Sequence, residues 1–339
     1  MRKARLSYYL VLSLLAVSLV TGGYAQAQKG EIPTEIRIAS NPPGGVTYQR
    51  AAAVASVIET ATGVKVYVEG VGAGKVQIQR VRAGEADMIL NNMLSTRMAA
   101  MGEGPYKDLG KTPMRLLGAS YAARVAIAAR KDSGIGSIKD LPGHVWYAYS
   151  TGGASAIVLV EGLMKFLGTT RETYGRGWRQ YIKHDEYVDA ITEGRADAVT
   201  IYLGSAFQRI RASVDLKILP IPQDMADFVG KNIPGWDTTI MPAGTFGYPE
   251  SVRVFRSLGG IEVRANISDE AAYVVTKAIW DNTDKLVKAG LKAEEWNLER
   301  ALTSPALPFH PGAIRYYKEK GVWTPELEKT QQELVETVK

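Results

Sequence analysis

The stretches Arg82-Ala-Gly-Glu-Ala-Asp-Met-Ile89 and Glu193-Gly-Arg-Ala-Asp-Ala-Val-Thr200 repeat one pattern in distant parts of the chain. Each is typical of a helix end, a glycine, a short turn with Asp and then an apolar strand. Glycine just past a helix adopts the left-handed conformation that closes the helix end. The apolar runs at 88–90 and 198–201 are short enough to be buried strands. The repeat predicts two similar α/β lobes, and the cleft between two lobes is a usual ligand site.

The N-terminus has the pattern of an export signal. Three basic residues fall within positions 1–5, and the apolar run over 6–20 is too short to span a bilayer comfortably. Ala25-Gln-Ala27 is a small-x-small cleavage motif. We therefore expect a mature periplasmic chain that begins at Gln28, and an uncleaved anchor is the alternative interpretation.

Composition excludes several kinds of site. The chain has 339 residues, enough after the signal for one large domain or two smaller ones. Cysteine is absent, which excludes disulfides, thiolate metal sites and a Cys nucleophile. The formal charge of +6 falls to +3 without residues 1–27, which carry three basic and no acidic residues. The remaining basic residues are dispersed, so nothing indicates nucleic-acid binding, whereas a mild positive balance suits an anionic ligand.

Predicted strands and helices alternate in the order typical of a mostly parallel sheet, beginning with strands at 35–39 and 64–68. Residues 216–249 are rich in Pro and Gly and are interpreted as a return crossing between the lobes. A long helix is expected over 269–289. The polar segment 311–339 is expected to be a solvated helix around the core.

Three glycine-rich loops, at 42–47, 69–75 and 150–155, each follow a predicted strand and open a predicted helix. A helix N-terminus carries unpaired N–H groups and a partial positive charge, which suits a carboxylate or phosphate. The hydroxyl donors in these loops are Thr47, Ser150, Thr151 and Ser155. Together the loops predict an anion site, although any one of them is equally compatible with an ordinary βα turn.

The second glycine loop is not a nucleotide-binding P-loop. Glu69 stands where that motif has its first glycine, and Val76 stands where it has its hydroxyl residue. Lys75 in this loop is interpreted either as positive charge for a bound anion or as a solvated side chain.

Polar side chains follow both repeated strands. Asn91-Asn92 and Tyr202 occupy equivalent places at the carboxyl ends of these strands, the edge that faces the ligand crevice in open α/β sheets. Their amide and hydroxyl groups are candidates for ligand binding, and a turn is the alternative for the Asn pair. Tyr48 and Tyr121 are candidates for the cleft wall, with the hydrophobic core as the alternative.

Catalytic and metal signatures are weak in this sequence. His144, His184 and His310 are far apart, and no pair of them has metal-ligand spacing. No nucleophile elbow is recognisable. Asp87 and Asp197 are interpreted as turn anchors rather than as a catalytic pair. We therefore expect a protein without enzymatic activity, metal or cofactor.

The order of several short motifs along the chain resembles that of the TAXI solute-binding proteins of tripartite ATP-independent periplasmic (TRAP) transporters. The resemblance covers nearly the whole mature chain. The motifs that carry the resemblance are Ser40 to Tyr48, the loop 69–75, the Gly-Glu-Ala-Asp turn at 84–87, Asp132-Ser-Gly-Ile135 with Ser137-Ile-Lys-Asp-Leu-Pro-Gly143, the Gly-Gly-Ala-Ser loop at 152–155, Ile240-Met-Pro-Ala-Gly-Thr245 and His310-Pro-Gly-Ala313. Each motif is weak alone, and their order behind an export signal is fairly specific.

The resemblance implies an α/β chain with the type II periplasmic binding-protein fold, in which two lobes enclose a ligand cleft and are joined by a two-segment hinge. We expect a signal peptide at 1–27, a first lobe formed by 28–126 and 236–339, and a second lobe at 127–235. The resemblance also implies delivery of a small organic anion, such as glutamate or a 2-oxo dicarboxylate, to a membrane permease driven by an ion gradient. We expect the receptor to be a monomer.

The binding positions that the resemblance implies are Gly45, Thr47, Tyr48, Ala73, Gly74, Asn91, Tyr121, Thr151, Gly153, Ser155 and Tyr202. Two departures from the family pattern concern the ligand. Ala73 replaces a hydroxyl donor, because the family's loop usually reads Thr-Gly-Gly-Ser. Asn91-Asn92 stands where a Gln and an Asp are expected, so the natural partner of an α-ammonium is missing. We therefore predict a carboxylate ligand without an amine.

Three other functional classes stay open at this point. A receptor of a tripartite tricarboxylate or ABC importer has the same fold, and the neighbouring transporter genes distinguish it. A periplasmic enzyme on this fold needs a titratable group near its ligand, and the three glycine loops contain no His or Cys. A sensor module that feeds a kinase is also compatible with the sequence.

Overall fold

The computed structural model describes residues 30–43, 46–72, 74–150, 154–181, 184–233 and 235–339. The strands within these ranges are β1 (Glu35–Ser40), β2 (Lys65–Gly70), β3 (Met88–Asn92), β4 (Met114–Arg130), β5 (Trp146–Ser150), β6 (Trp178–Tyr181), β7 (Ala198–Tyr202), β8 (Leu216–Ile218), β9 (Trp236–Met241) and β10 (Val252–Arg264). The α-helices are α1 (Val46–Thr62), α2 (Gly74–Arg82), α3 (Met93–Met101), α4 (Ala154–Phe166), α5 (His184–Thr192), α6 (Ser205–Ser213), α7 (Gln223–Asn232), α8 (Asp269–Trp280), α9 (Thr283–Lys288), α10 (Leu298–Ala301), α11 (Pro311–Glu319) and α12 (Pro325–Val338).

The described strands form one mixed sheet in the order β2-β1-β3-β10-β4-β7-β5-β6, with β8 paired to β4 and β9 paired to β10. β1 is parallel to β2 and β3, and β5 is parallel to β6 and β7. These two parallel groups lie on opposite sides of the antiparallel pair β4 and β10. Two α/β units are therefore joined through two neighbouring strands, which confirms the predicted two-lobed α/β class.

β4 and β10 pass from one α/β unit to the other. β10 pairs with β9 over residues 252–257 and with β3 over 259–263. The second half of β4 pairs with β7 over residues 125–129. The register between β4 and β10 shifts near Leu258, where the two strands leave one unit and enter the other. This region is called the crossing below.

Helices cover both faces of each parallel group, as expected for strands buried on both sides. In the first unit, Leu90 belongs to the core cluster that includes α1, whereas the adjacent Ile89 belongs to a cluster with α2. In the second unit, Ala198 lies in the cluster that includes α4, and Val199 lies in the cluster with α5. Successive strand residues point to opposite faces, so each strand contributes to two cores.

The repeated turn forms as predicted in both units. α2 ends before Gly84, which has φ +73°, and α5 ends before Gly194, which has φ +74°. The Asp87 carboxylate accepts the backbone N–H of Arg37 at 2.9 Å. The Asp197 carboxylate accepts the backbone N–H of Val145 at 2.8 Å. Each Asp therefore links its turn to the neighbouring parallel strand, which confirms the prediction of turn anchors.

The expected long helix over 269–289 is divided into α8 and α9. The Asn282 side chain donates to the Ala278 carbonyl at 2.8 Å, and Asn282 itself has φ −126°. A side-chain amide that bonds the backbone in this way competes with the helical hydrogen-bond pattern. The helix therefore ends at Trp280 and a second one starts at Thr283.

The expectation of a solvated C-terminal helix is wrong for α11. Tyr316 and Tyr317 in α11 are fully buried. The Tyr317 ring packs edge-on against Phe309, and its hydroxyl donates to the Leu117 carbonyl at 2.6 Å. A tyrosine can enter a core when its polar tip finds a partner, and this possibility is not visible in a polar-looking sequence.

Residues 216–249 do not form a simple return crossing. They contain β8, α7 and β9, and Met241 and Tyr248 pack in the same buried cluster as β7. The chain returns to the first unit through β10 instead. Within the described residues, no helix is both long and apolar enough to span a bilayer.

Candidate functional site

The carboxyl ends of the parallel strands of both units face the crossing. Asn91 and Asn92 end β3 and pair with Gly260 and Gly259 of β10, and Tyr202 ends β7 and pairs with Val125 of β4. In open α/β sheets, ligands bind outside this edge of the strands. The predicted site residues at the ends of β3 and β7 are therefore separated by only the two crossing strands.

Tyr121 lies in the middle of β4, at the crossing. Its ring supports the guanidinium of Arg50, whose carbon lies 4.2 Å from the ring centroid. Burial raises the pKa of the Tyr121 hydroxyl, as do the nearby Glu262 carboxyl and the Tyr202 hydroxyl. Among the described residues, no hydrogen-bond partner is found for this hydroxyl. Tyr121 thus connects α1 to the crossing, and its hydroxyl is left without a hydrogen bond to any described residue.

Tyr202 and Ser155 meet across the second unit. The Tyr202 hydroxyl lies 3.4 Å from the Ser155 hydroxyl, and the Ser155 carbonyl accepts the indole N–H of Trp236 at 3.1 Å. Tyr202 is 40% exposed, yet burial raises the pKa of its hydroxyl. A side chain that reaches solvent while protein atoms surround its polar end is typical of the floor of a cleft. The predicted binding residues Ser155 and Tyr202 thus lie next to each other in the second unit, and their role in ligand binding stays a prediction.

The two asparagines after β3 have different environments. The Asn92 amide caps α3 by accepting the Ser95 N–H at 3.1 Å, and it donates to the Ser257 hydroxyl. The Asn91 amide N–H₂ donates to the Thr96 hydroxyl at 3.3 Å. Asn92 therefore holds α3 against β10, whereas the side-chain oxygen of Asn91 has no hydrogen bond to any described residue.

A buried carboxyl group lies behind Asn91. Glu262 is fully buried and accepts the Thr96 hydroxyl at 2.6 Å through Oε2, while its Oε1 has no partner among the described residues. Burial raises the pKa of Glu262 well above its ordinary value. The raised pKa favours the neutral form of Glu262, because burial of an unpaired negative charge costs free energy.

The first two glycine loops are joined by one side chain. Gln77 of α2 is buried, and its side-chain N–H₂ group donates two hydrogen bonds of 2.7 Å. One goes to the side-chain oxygen of Asn41 and the other to the backbone carbonyl of Gly72. Ser40, at the end of β1, is also buried, and its hydroxyl has no partner among the described residues. These contacts fix the loop ends that lead into α1 and α2.

Thr47 and Tyr48 lie in the first turn of α1 and are half-buried. Gly74 begins α2, and a β-carbon there would lie 3.7 Å from the Tyr106 hydroxyl. Lys75 is directed to the surface instead, where its ammonium group bonds both carboxylate oxygens of Asp108 at 2.8 Å. The positive charge of Lys75 is thus already paired. Four predicted binding residues lie outside the described residues: Gly45, Ala73, Thr151 and Gly153.

The comparison with protein families matches the NMT1-like family over residues 38–321. The chain belongs to the NMT1-like family. The match includes both parallel strand groups, the crossing and α11. The two-lobed α/β arrangement of this NMT1-like chain is that of type II periplasmic binding proteins.

Several solved structures are similar to the NMT1-like chain at low identity. One is the aliphatic sulphonate binding protein SsuA from Escherichia coli, 15% identical, with 90% of this chain and 86% of that chain aligned at a TM-score of 0.46. Another is a periplasmic binding protein from Brucella ovis with glutathione bound, 14% identical over 76% of this chain and 70% of that chain, with a TM-score of 0.44. A third is the arginine-, lysine-, histidine-binding protein ArtJ from Geobacillus stearothermophilus, 12% identical over 77% and 94% of the two chains, with a TM-score of 0.44.

Sequence reasoning missed several charged residues of this NMT1-like chain. Arg50, Glu262 and Glu295 come from separate helices, strands and loops and converge near Tyr121. No short motif connects them, because the fold alone brings them together. The available signal was weak: Arg50 is a charged residue next to the predicted apolar face of α1.

The NMT1-like chain has one concavity beside α8 and another beside β9, near the crossing. A cavity of about 130 Å³ lies beside the N-terminus of α8 and is lined by Asp87, Arg264 and Ser268 among others. A groove of about 380 Å³ lies between Trp236 and Leu327 of α12. Neither contains a predicted binding residue. Within the described residues, no cluster of His, Asp or Glu is suited to hold a metal ion.

Proposed function

We propose that this chain is a periplasmic solute receptor that binds a small organic anion, a carboxylate or dicarboxylate, between its two lobes. We further propose that it is of the TAXI type and delivers this anion to the permease subunits of a TRAP transporter. Membership of the NMT1-like family and the type II fold support the receptor role. The ordered motifs of the sequence support the transporter subtype.

The observation that carries this proposal is the convergence of polar groups from both lobes on the crossing. Tyr121 lies on β4 at the crossing, and the Tyr202 hydroxyl, at the end of the neighbouring β7, lies 3.4 Å from the Ser155 hydroxyl. Arg50 places a positive charge on the first-lobe side. Hydroxyl and guanidinium donors beside an aromatic surface suit the oxygens of a small anion.

We propose that β4 and β10 are the hinge and that the lobes divide within these strands. Ligand binding then favours the closed form, because only closure lets groups of both lobes contact the anion together. The closed surface is the one that the permease recognises. The receptor has no chemistry of its own in this proposal.

A thermal-shift screen of the signal-free chain with mono- and dicarboxylates, amino acids and polyamines tests the ligand class. We expect one or a few carboxylates to raise the melting temperature by mass action. Ser155→Ala and Asn91→Ala should lose this response while their ligand-free midpoints stay close to the parent. Ser213→Ala and Asn232→Ala, exposed positions outside the site, are matched controls. A cationic ligand, or normal responses in both site variants, contradicts the proposal.

The transporter class requires a separate experiment. The receptor is added to membrane vesicles that contain the permease encoded beside it, and uptake of the identified anion is measured. We expect uptake to depend on an imposed ion gradient and to proceed without ATP. Uptake that needs ATP and ignores the gradient refutes the TRAP assignment and leaves the receptor role intact.

A further inference from the structure

The guanidinium group of Arg50 is little exposed, yet it forms no hydrogen bond with any described residue. Its side chain is 17% exposed, and its carbon lies 4.2 Å from the Tyr121 ring centroid. Its nearest carboxylate is Glu295, at 3.7 Å, whereas charge-assisted hydrogen bonds are about 2.7–2.9 Å long. Among the described residues, no hydrogen bond occupies its N–H groups. Five N–H donors in a planar fork are thus held over an aromatic ring with their edges unused.

The charge of Arg50 is only loosely paired. Glu295 is the one carboxylate within 4 Å of its guanidinium among the described residues, and the 3.7 Å separation is too long for a hydrogen bond. The neighbouring Arg256 is neutralised by Asp237, which it contacts through both carboxylate oxygens. A partly buried guanidinium with no hydrogen-bonded carboxylate favours the arrival of an anion.

The position of Arg50 connects this charge to the cleft. Arg50 lies in the second turn of α1, just after the glycine loop that ends β1. Its platform Tyr121 lies on the crossing strand β4, and the Tyr121 ring lies against Gly259 of β10, where the register between the two strands shifts. The free edge of the guanidinium is thus at the junction of the two lobes, where the proposed ligand binds.

We propose that Arg50 binds a planar carboxylate of the ligand, with Tyr121 as its aromatic support and Glu295 as the group that the ligand displaces. This assignment rests on the proposed receptor function and specifies its ligand chemistry. Arginine matches the two oxygens of a carboxylate with two parallel N–H bonds. Stacking on Tyr121 keeps the fork oriented before the ligand arrives, which lowers the entropy lost on binding.

The test compares binding of the parent, Arg50→Gln and Arg50→Lys by calorimetry. The probes are pyruvate, succinate, glutarate and 2-oxoglutarate, together with the fully amidated analogue of the tightest of them. Arg80→Gln is the matched control, because Arg80 lies on helix α2 and forms an exposed ion pair with Glu85 just after that helix. Circular dichroism and the ligand-free melting temperature confirm that each variant is folded.

We expect Arg50→Gln to weaken the tightest carboxylate by roughly a hundredfold and Arg50→Lys by roughly tenfold, since lysine keeps the charge and loses the fork. The preference of the parent for the carboxylate over its amide should nearly disappear in Arg50→Gln, an effect that general loosening of the lobe does not produce. Arg80→Gln should bind like the parent.

Two different failures are distinguishable. If the parent binds a carboxylate and Arg50→Gln keeps both its affinity and its preference over the amide, the Arg50 assignment is overturned and the receptor function stands. If the parent binds none of the carboxylates, both are overturned. If Arg50→Gln does not fold, Arg50→Lys decides the assignment: affinity within about twofold of the parent overturns it, since a lost bidentate pair costs more than that.

Discussion

Gly259→Ala should disturb the candidate site through a single methyl group. A β-carbon at Gly259 would lie 2.5 Å from Cε1 of the Tyr121 ring and closer still to two other ring atoms. Ordinary contacts begin at 3.4 Å, so the ring must retreat by about 1 Å or more. Insertion of a methyl group into packed surroundings costs about 1–3 kcal/mol of unfolding free energy. The displaced ring also loses its place under Arg50, so ligand binding should weaken together with stability.

Urea unfolding and the carboxylate screen measure these two effects. Gly230→Ala is the matched control: Gly230 is helical, and a β-carbon there meets nothing within 4 Å. Alanine in a helix interior is better than glycine by about 0.5–1 kcal/mol, so this control should be slightly stabilised. A Gly259→Ala protein with parental stability and parental ligand affinity would refute the placement of Tyr121 against Gly259.

Two pH-dependent predictions concern buried groups. Burial lowers the pKa of His310 to about 4, and His310 caps α11 through the Gly312 N–H. The neutral form of His310 should therefore add about 3 kcal/mol to the free energy of unfolding above pH 6.5, and this contribution should be lost as the pH falls from 6.5 to 4. Urea unfolding of His310→Asn should show a smaller fall in stability over the same pH range. The contribution of Glu262 to stability depends on pH in the opposite direction, because burial raises its pKa and the folded state therefore keeps the proton to higher pH than the unfolded chain does. Glu262→Gln should therefore be more stable than the parent at pH 8, with an advantage that shrinks towards pH 4.5, and an equal difference at both values argues against a buried neutral acid.

The sequence predicted the parts of the fold that depend on local chemistry. The glycine after α2, the turn aspartate and the following strand recur after α5, because each step has a local physical reason. The contact between Ser155 and Tyr202 was also accessible, since both lie at the carboxyl edge of the same parallel group. The break at Asn282 was not, because it depends on which hydrogen bond a side-chain amide chooses.

The charged part of the site could not be predicted for a different reason. Arg50, Glu295 and Arg300 lie far apart in the sequence and become neighbours only when α1 and the segment around α10 pack near the crossing. Lys75 was a candidate anion ligand because it follows a glycine loop, with a solvated side chain as the alternative, and Arg50 was not a candidate. In the fold, Asp108 pairs with Lys75 at the surface, whereas Arg50 is left without a hydrogen-bonded partner among the described residues.

The same two strands connect the two α/β units and carry the candidate site, so the proposed ligand and the proposed hinge share one structural element. Tyr121 is part of β4, and its ring lies against Gly259 of β10. The register between these strands shifts next to that contact, so the hydrogen-bond ladder is irregular where the lobes separate. In the proposed receptor, an anion bound by Arg50 over Tyr121 acts on the strand segment that we propose as the hinge. Under this proposal the anion stabilises the closed form directly, without a separate path from the site to the hinge.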